Sequence, residues 1–525
     1  MSPKKSKDDA GAGQGDGEFA AEATRVHDEL LARVGESAPE PRLSATRRAV
    51  ELLGDPQRAY PVIHITGTNG KTSSSRMIES VLRAHGLRTG LMTSPHLVRL
   101  NERIVVDGEP ISDERLVANW DDIQPYLTMV DTELEAAGEP TLTFFEALTA
   151  LAFACFADAP ADVVVLEVGM GGEWDSTNVA DGQVAVFTPI ALDHQARLGS
   201  TVEAIARTKA GIVKPGAHLV LGPVDGRLQS AFLDQGPGLV WRFGHEIHAD
   251  DDVATATGRA LTVVTPWQHV AVEIPLHGAH QSVNGALAEL QRAAELTESS
   301  LAVEGVAFGV ESTTVAVGGQ VVTIRGVAGR YEDLLLPLFG DHQAQNAAVA
   351  VAAVESFLGS GSQALDHDVL AEGLAAATSP GRLQIVANEP TILVDAAHNP
   401  HGARALAKAI DDYFQFGRVV AVLSVLADKD AAGIVRALSG TVDQFVVTQS
   451  GSDRSVDADE LAAVAVGVVG AARVVVETDL VAALRTARDL ADEAEGDEPG
   501  GVVVTGSITL VGDVLALSQA EGGLS

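Results

Sequence analysis

The chain has 525 residues, 46% of them hydrophobic; that is enough for a sizeable core and more than one core usually organises, so two domains with an inserted piece are expected. Its 72 acidic against 36 basic residues give a formal charge of -36, which argues against a general nucleic-acid binder, because a phosphate backbone needs a basic face. No uncharged apolar run reaches about 18 residues and none follows the basic residues near Met1, so neither a membrane span nor an export signal is expected and the protein reads as soluble and cytoplasmic.

Residues 1–18, rich in Lys, Asp, Gly and Gln, have almost nothing to bury and read as a disordered tail. From Pro61 onward, short β-branched runs alternate with longer segments of helical period. Val62 to Ile65 reads as a strand and Arg76 to His85 as a helix; strands follow at Val163 to Leu166 and Val184 to Phe187. The apolar run Leu151 to Phe156 reads as a buried helix around Cys155, the only cysteine, so no intramolecular disulfide can form. This alternation predicts an α/β fold, a P-loop doubly wound and mainly parallel sheet.

Further along, Pro275-Leu276-His277-Gly278-Ala279-His280-Gln281-Ser282-Val283-Asn284 recurs as Pro337-Leu338-Phe339-Gly340-Asp341-His342-Gln343-Ala344-Gln345-Asn346. Phe243-Gly244 and Phe308-Gly309 precede the two copies at similar distances, so a strand-plus-helix unit of roughly sixty residues reads as duplicated, its extra copy at about 226–302. Ser379-Pro380-Gly381 is turn chemistry and marks a boundary between a first domain at 19–378 and a second at 379–525. In the second domain, strands at Thr391 to Val394, Val419 to Leu423, Phe445 to Val447, Val474 to Val476 and Val502 to Val504 predict a smaller, Rossmann-like α/β unit.

Gly67-Thr68-Asn69-Gly70-Lys71-Thr72 lies between the first strand and a helix. Phosphate oxygens need several backbone N–H donors, room free of Cβ atoms and a positive helix end, and this loop offers all three. Lys71 can reach the outer phosphates, and the Thr72 hydroxyl can face phosphate or Mg²⁺. The strict GxxxxGK[ST] spacing is not met, since Ile65 stands where its first glycine would be. Glu167 and His194 follow parallel strands and are candidate Mg²⁺ ligands at the same sheet edge. Asp395 ends the first strand of the second domain, and Arg382 just past the boundary is placed to contact a nucleotide between the domains.

Together these motifs resemble the folylpolyglutamate synthase and dihydrofolate synthase family of Mur-type amide ligases. The resemblance covers roughly 40–225 and 300–515 and is carried by Gly67 to Thr72, Thr93 to Leu97, Asn101 to Ile104, Thr143 to Glu146, Glu167 to Gly172, Leu192 to His194, Lys209 to Gly216, His342 to Asn346, Pro380 to Arg382, Asp395 to Pro400 and Thr505 to Ser507. It implies an ATP-dependent ligase that phosphorylates a carboxylate on dihydropteroate or a folate and lets the glutamate amine displace phosphate. It makes Ser94, Glu167 and His194 the Mg²⁺ ligands, and Thr68, Asn69, Gly70, Lys71, Thr72, Asn346, Arg382 and Asp395 the ATP contacts. Lys71, Lys209 and His398 are implied in catalysis, Lys209 matching a lysine that is carbamylated in the family, while His398 and Ser507 match the glutamate side. Arg42, Leu43, Ser44, Thr143, Phe144, Trp174, Asp175 and Ser176 match the pterin pocket. The implied partners are small molecules alone, with neither nucleic acid nor membrane, and the chain is expected to act as a monomer.

Three departures stand out: Glu173 where the family has arginine, which could alter substrate choice; Ala396 where it has glycine; and the rival Asn284 copy. Asn346 is favoured over Asn284 because its copy runs directly into Pro380-Gly381-Arg382. The competing readings are a Mur-type ligase acting on a cell-wall precursor and a catalytically silent ATP-binding paralogue.

Overall fold

The computed structural model describes residues 19–35, 41–222, 226–228, 231–232, 248–255, 258–264, 269–274, 301–305, 307–494, 496 and 498–520. The expected tail at 1–18 and the repeat copy from Pro275 to Asn284 lie outside them.

Helices α1 (Ala20–Leu31) and α2 (Ser44–Leu52) lead into β1 (Val62–Thr66), α3 (Lys71–Ala84) and β2 (Thr89–Met92). A short hairpin, β3 (Ile104–Val106) and β4 (Glu109–Pro110), precedes α4 (Asp113–Ala137), α5 (Phe144–Asp158) and β5 (Val163–Glu167). Then come β6 (Gly182–Phe187), α6 (Gln195–Leu198), α7 (Val202–Ala210) and β7 (His218–Leu221). With β11 (Leu301–Val303) they form an eight-stranded sheet of order β11-β7-β6-β1-β5-β2-β3-β4. It is parallel from β11 to β2 and antiparallel at the β3–β4 edge.

Because β1 is central, it must be apolar on both faces, and a step of one residue switches face. Ile63 and Ile65 join Met77, Ile78, Val81 and Leu82 of α3 in one core. Val62, Val164 and Leu166 join Trp120 of α4 and Phe153 and Phe156 of α5 in the other. Cys155 is buried among the latter, as its neighbours predicted. Helix α3 begins at Lys71, five residues before the predicted start at Arg76, because the loop Gly67 to Thr72 itself ends in the first helical turn.

The duplicated unit is richer than one strand and one helix. Strands β8 (His248–Thr255), β9 (Gly258–Val264) and β10 (His269–Ile274) form an antiparallel meander, and β12 (Gly309–Ala316), β13 (Gly319–Arg325) and β14 (Arg330–Leu336) form a second. Each ends on the residue before its Pro-Leu repeat, at Ile274 and Leu336. The second copy continues into α8 (Asp341–Gly359), an Ala-rich helix whose small side chains let it lie close on α3, followed by α9 (His367–Ala375).

The second sheet runs β15-β16-β20-β17-β18-β19, parallel except for its β15 edge. Its strands are β15 (Gln384–Asn388), β16 (Thr391–Val394), β17 (Arg418–Leu423), β18 (Gln444–Val447), β19 (Val474–Val476) and β20 (Gly500–Thr505). Helices α10 (Pro400–Tyr413), α11 (Ala431–Leu438), α12 (Ala458–Val469), α13 (Leu480–Asp492) and α14 (Ile508–Ala520) cover its two faces over separate cores. All five strands expected here are present, and β15, an exposed edge with half-buried residues, is the one the β-branched pattern missed. Among the described residues no helix is long and apolar enough to cross a membrane.

Phe156 is fully buried and meets Tyr60 edge to face at 6.2 Å. Phe156→Ala should therefore destabilise the first domain by about 3–5 kcal/mol. Urea unfolding should show its transition shifted to lower denaturant while that of the second domain stays in place.

Candidate active site

The carboxyl ends of both sheets face one cleft of about 790 Å³. Its floor is the phosphate loop. Gly70 has a left-handed backbone (φ 87°), and a Cβ there would lie 2.4 Å from Asn346 Oδ1, so only glycine fits and Asn346 of α8 sits directly against the loop. At Gly67 a Cβ would lie 1.9 Å from Thr188 Oγ1. Thr68 stitches the loop to the segment after β6: its N–H donates to Pro189 O at 2.9 Å and its hydroxyl to Ala191 O at 3.0 Å. Lys71 Nζ folds back on the carbonyls of Gly67 and Thr68 at 3.2 and 3.5 Å. Burial lowers the Lys71 ammonium against the pull of Glu167 and Asp193.

Glu167, buried at the end of β5, accepts the Thr72 hydroxyl on Oε1 at 2.9 Å. Its Oε2 is buried without a hydrogen-bond partner, and burial raises the carboxyl although Lys71 opposes the shift. A buried carboxylate oxygen lacking a donor fits a bound cation. Ser94 and His194 line the same space. Burial pushes His194 down to about 4, leaving a neutral imidazole able to ligate at pH 7. No group of three or more His, Cys, Asp or Glu side chains gathers into a metal cluster among the described residues. Lys209, in the last turn of α7, is buried and donates to Gly67 O at 2.8 Å. Burial, helped by the charge of Lys71, brings its amine down to about 7.

The opposite wall comes from the second domain. Arg382, Asp395 and His398 all line the cleft. Asp395 accepts the backbone N–H of Leu383 and of Ala397, each at 2.9 Å, so its carboxylate is held by the strand ends around it. Ala396 is fully buried and donates its N–H to Gly381 O at 2.9 Å. His398 Nε2 stands 3.6 Å from Asp193 Oδ2. Ser507 does not line the cleft: it is fully buried at the start of α14, accepting the Leu510 N–H at 3.1 Å.

Sequence reasoning missed a charged bridge across the cleft. Lys429 Nζ meets Asp193 Oδ1 at 2.9 Å, both side chains at least nine-tenths buried. Burial works to raise the Asp193 carboxyl, yet the His398 hydrogen bond and the charges of His194 and Lys429 hold it well below the usual carboxylate range. Asp193 was visible inside the Leu192-Asp193-His194 motif. Lys429 and Arg454, which also lines the cleft, sit in loops after β17 and β18, where no local pattern singles them out.

On the far side from the second domain, Thr143, Phe145, Glu146, Trp174, Asp175 and Ser176 line an extension of the cleft. Asp175 is buried, and its carboxylate receives the Met170 N–H at 2.9 Å and the Thr177 N–H at 3.0 Å. Phe145 is the aromatic that faces the cleft, in place of the expected Phe144. Phe144 is packed into the core, with the Arg103 guanidinium 5.1 Å from its ring centroid, because consecutive residues of a helix cannot face the same way. Arg42, Leu43 and Ser44 are likewise off the lining. Arg42 grips Glu146 through Nε and Nη2 at 3.0 and 3.1 Å, and Glu146 closes a capping box with Thr143. Glu173 is exposed and also off the lining, its backbone tied to Thr208.

The Mur ligase middle domain matches residues 65–290, and the Mur ligase, glutamate ligase domain matches residues 381–508. The dihydrofolate synthase/folylpolyglutamate synthase of Mycobacterium tuberculosis is 41% identical over 504 residues, which span 94% of this chain and 93% of that protein. The chain belongs to the folylpolyglutamate synthase/dihydrofolate synthase family. It is an ATP-dependent ligase of the Mur type. The structure of M. tuberculosis folylpolyglutamate synthase complexed with ADP has a TM-score of 0.79 at 39% identity, covering 95% of this chain and 98% of that one. E. coli FolC in complex with DHPP and ADP has a TM-score of 0.70 at 26% identity, covering 96% and 98%.

In this ligase Gly70→Ala combines a left-handed backbone with the close approach of Asn346. It should weaken ADP binding roughly tenfold or more. Calorimetric titration of ADP into wild type and variant checks this; equal affinities would mean that the loop tolerates a side chain and is not the phosphate cradle.

Proposed function

We propose that this ligase joins the amine of L-glutamate to a carboxylate of dihydropteroate, of a tetrahydrofolate already carrying glutamate, or of both. The observation that carries this reading is the continuity of the cleft. One lining holds the aromatics Phe145 and Trp174, the loop Gly67 to Thr72, and the cations Lys429 and Arg454 of the second domain. A flat heterocycle suits the first, a triphosphate the middle, and a dicarboxylate amino acid the last. The ADP and DHPP held by FolC support the same reading.

A carboxylate oxygen leaves poorly until it is phosphorylated. The carboxylate attacks the outer phosphorus of ATP, the bond to the bridging oxygen breaks, and an acyl phosphate and ADP result. The glutamate amine then adds to the acyl carbon and loses a proton as phosphate departs with its bonding electrons. Lys71 and the N–H groups from Gly70 to Thr72 hold the phosphates, with Asn346, Arg382 and Asp395 on the nucleotide; Thr68 and Asn69 shape the loop, their N–H groups turned to Pro189 O. Ser94, Glu167 and His194 would hold Mg²⁺, which when bound supplies positive charge beside the transferring phosphoryl group. His398 and Lys429 orient the incoming glutamate, and Thr143, Asp175 and Ser176 the pterin end. Arg42 acts there indirectly, by fixing Glu146.

Lys209 completes the site as a carbamate. Its neutral Nζ attacks carbon dioxide, forming an N–C bond and releasing a proton, and turns a cation beside Gly67 into an anion. With the amine near 7, the reactive neutral form dominates above that pH and is lost below it.

Phosphate release with ATP, Mg²⁺ and glutamate should depend on adding dihydropteroate or a tetrahydrofolate; absence of release with both acceptors would end this assignment. At fixed carbon dioxide, turnover should fall as pH drops from 8 to 6. Native mass spectrometry should then show loss of one carbon dioxide from wild type and none from Lys209→Arg. A full-rate Lys209→Arg enzyme would show that no carbamate is needed.

A further inference from the structure

The tip of the loop Gly67 to Thr72 is held from the other domain by side chains at the start of α10. Asn399 is the N-cap of α10, its Oδ1 accepting the Gly402 N–H at 2.8 Å. From the same side chain, Nδ2 reaches Asn69 Oδ1 at 3.1 Å and Asp193 Oδ2 at 3.3 Å. Asn69 in turn pairs its Nδ2 with His401 Nδ1 at 2.9 Å, in the first turn of α10. Asn399 is only 4% exposed, so these partners stand in for water.

An asparagine amide has one acceptor oxygen and two donor hydrogens, and Asn399 uses both kinds. Its carbonyl serves its own helix and its amino group serves two separate segments of the first domain. Aspartate would keep the cap and lose the donors; serine would keep the cap and lose the reach. Two loops that must both address ATP, the one carrying Lys71 and the one carrying His194, are thus tied to the helix that follows Asp395. Asn69 spends its side chain on the second domain, although its place in the loop suggests a phosphate contact.

We propose that Asn399 is a positioning residue for the ligation: it docks the second domain on the phosphate loop through Asn69 and on the following strand-end loop through Asp193, bringing Arg382, Asp395 and Lys429 to the nucleotide. The role rests on the ligase reading above. Lys429 reinforces the same docking through Asp193, and Asn399 alone connects both loops.

A double-mutant cycle on the full chain tests it, with Asn399→Ser, Asn69→Ala and the pair. Each single variant should lower kcat roughly tenfold, and the pair should be slower by clearly less than the product of the two losses, because both singles remove the Asn399–Asn69 bond while each also removes one bond of its own. Small-angle X-ray scattering with a non-hydrolysable ATP analogue should show a larger radius of gyration for Asn399→Ser than for wild type, with its thermal midpoint unchanged. Multiplicative losses in the cycle, an unchanged kcat or superimposable scattering curves would each overturn the proposal. Should Asn399→Ser fail to fold, Asn399→Asp, which keeps the cap and loses the donors, takes its place in the cycle. A wild type without phosphate release would instead defeat the ligase reading, and the scattering comparison, which needs no turnover, would still decide the docking.

Discussion

A triphosphate can be gripped by a chain only where several backbone N–H groups converge with no side chain between them, and in this protein that condition is met around Gly70. The left-handed backbone there turns the chain sharply enough for α3 to begin at the next residue, Lys71. The same missing Cβ lets Asn346 of α8 come against the loop. Because β1 is flanked by β5 and β6 in parallel, their carboxyl ends deliver Glu167 and the segment to His194 to the same edge. The first-domain half of the site is thus a consequence of one loop at one switch point in the sheet.

Charge burial follows from that geometry. Lys71, Lys209 and Glu167 share a space from which water is largely removed, and burial disfavours the charged form of each. Their partners within the protein are incomplete: Lys71 rests on carbonyls, and one Glu167 oxygen has no donor. Asp193 is the contrasting case, fully engaged by Lys429, Asn399 and His398 and held ionised despite burial. Groups left incomplete face where ligands bind, while the completed one joins the domains. A buried ion pair such as Lys429–Asp193 gives little net stability, since desolvation offsets its attraction. Its value here is in fixing how the two domains meet.

Much of this was legible in the sequence, because the informative features are local. Every predicted strand of both sheets is present, since β-branched runs flanked by turn residues leave few alternatives. Gly67 to Thr72, Glu167, His194, Lys209, Arg382 and Asp395 converge on the cleft as their motifs suggested. What stayed hidden depends on orientation or on distance in the chain. The choice between Phe144 and Phe145 turns on 100° of helix rotation, which a motif match does not carry. Lys429 and Arg454 lie in loops without a pattern, and their partners lie more than two hundred residues away for Asp193–Lys429. Arg42 matched a pocket position, yet its guanidinium is committed to Glu146. The sequence repeat gave no sign of the two three-stranded meanders that precede its copies.

The overall acidity now has a physical setting. ATP, a folate and glutamate are all anions, and a formal charge of -36 would repel them if charge acted over the whole molecule. At physiological ionic strength, exposed charges are screened beyond about 8 Å, so a distant acidic surface contributes little at the cleft. Lys71, Arg382, Lys429 and Arg454 line the cleft itself, in a less polar medium where each counts for more. The sign of the ligand is therefore set locally, by four cations that the fold brings together from both domains.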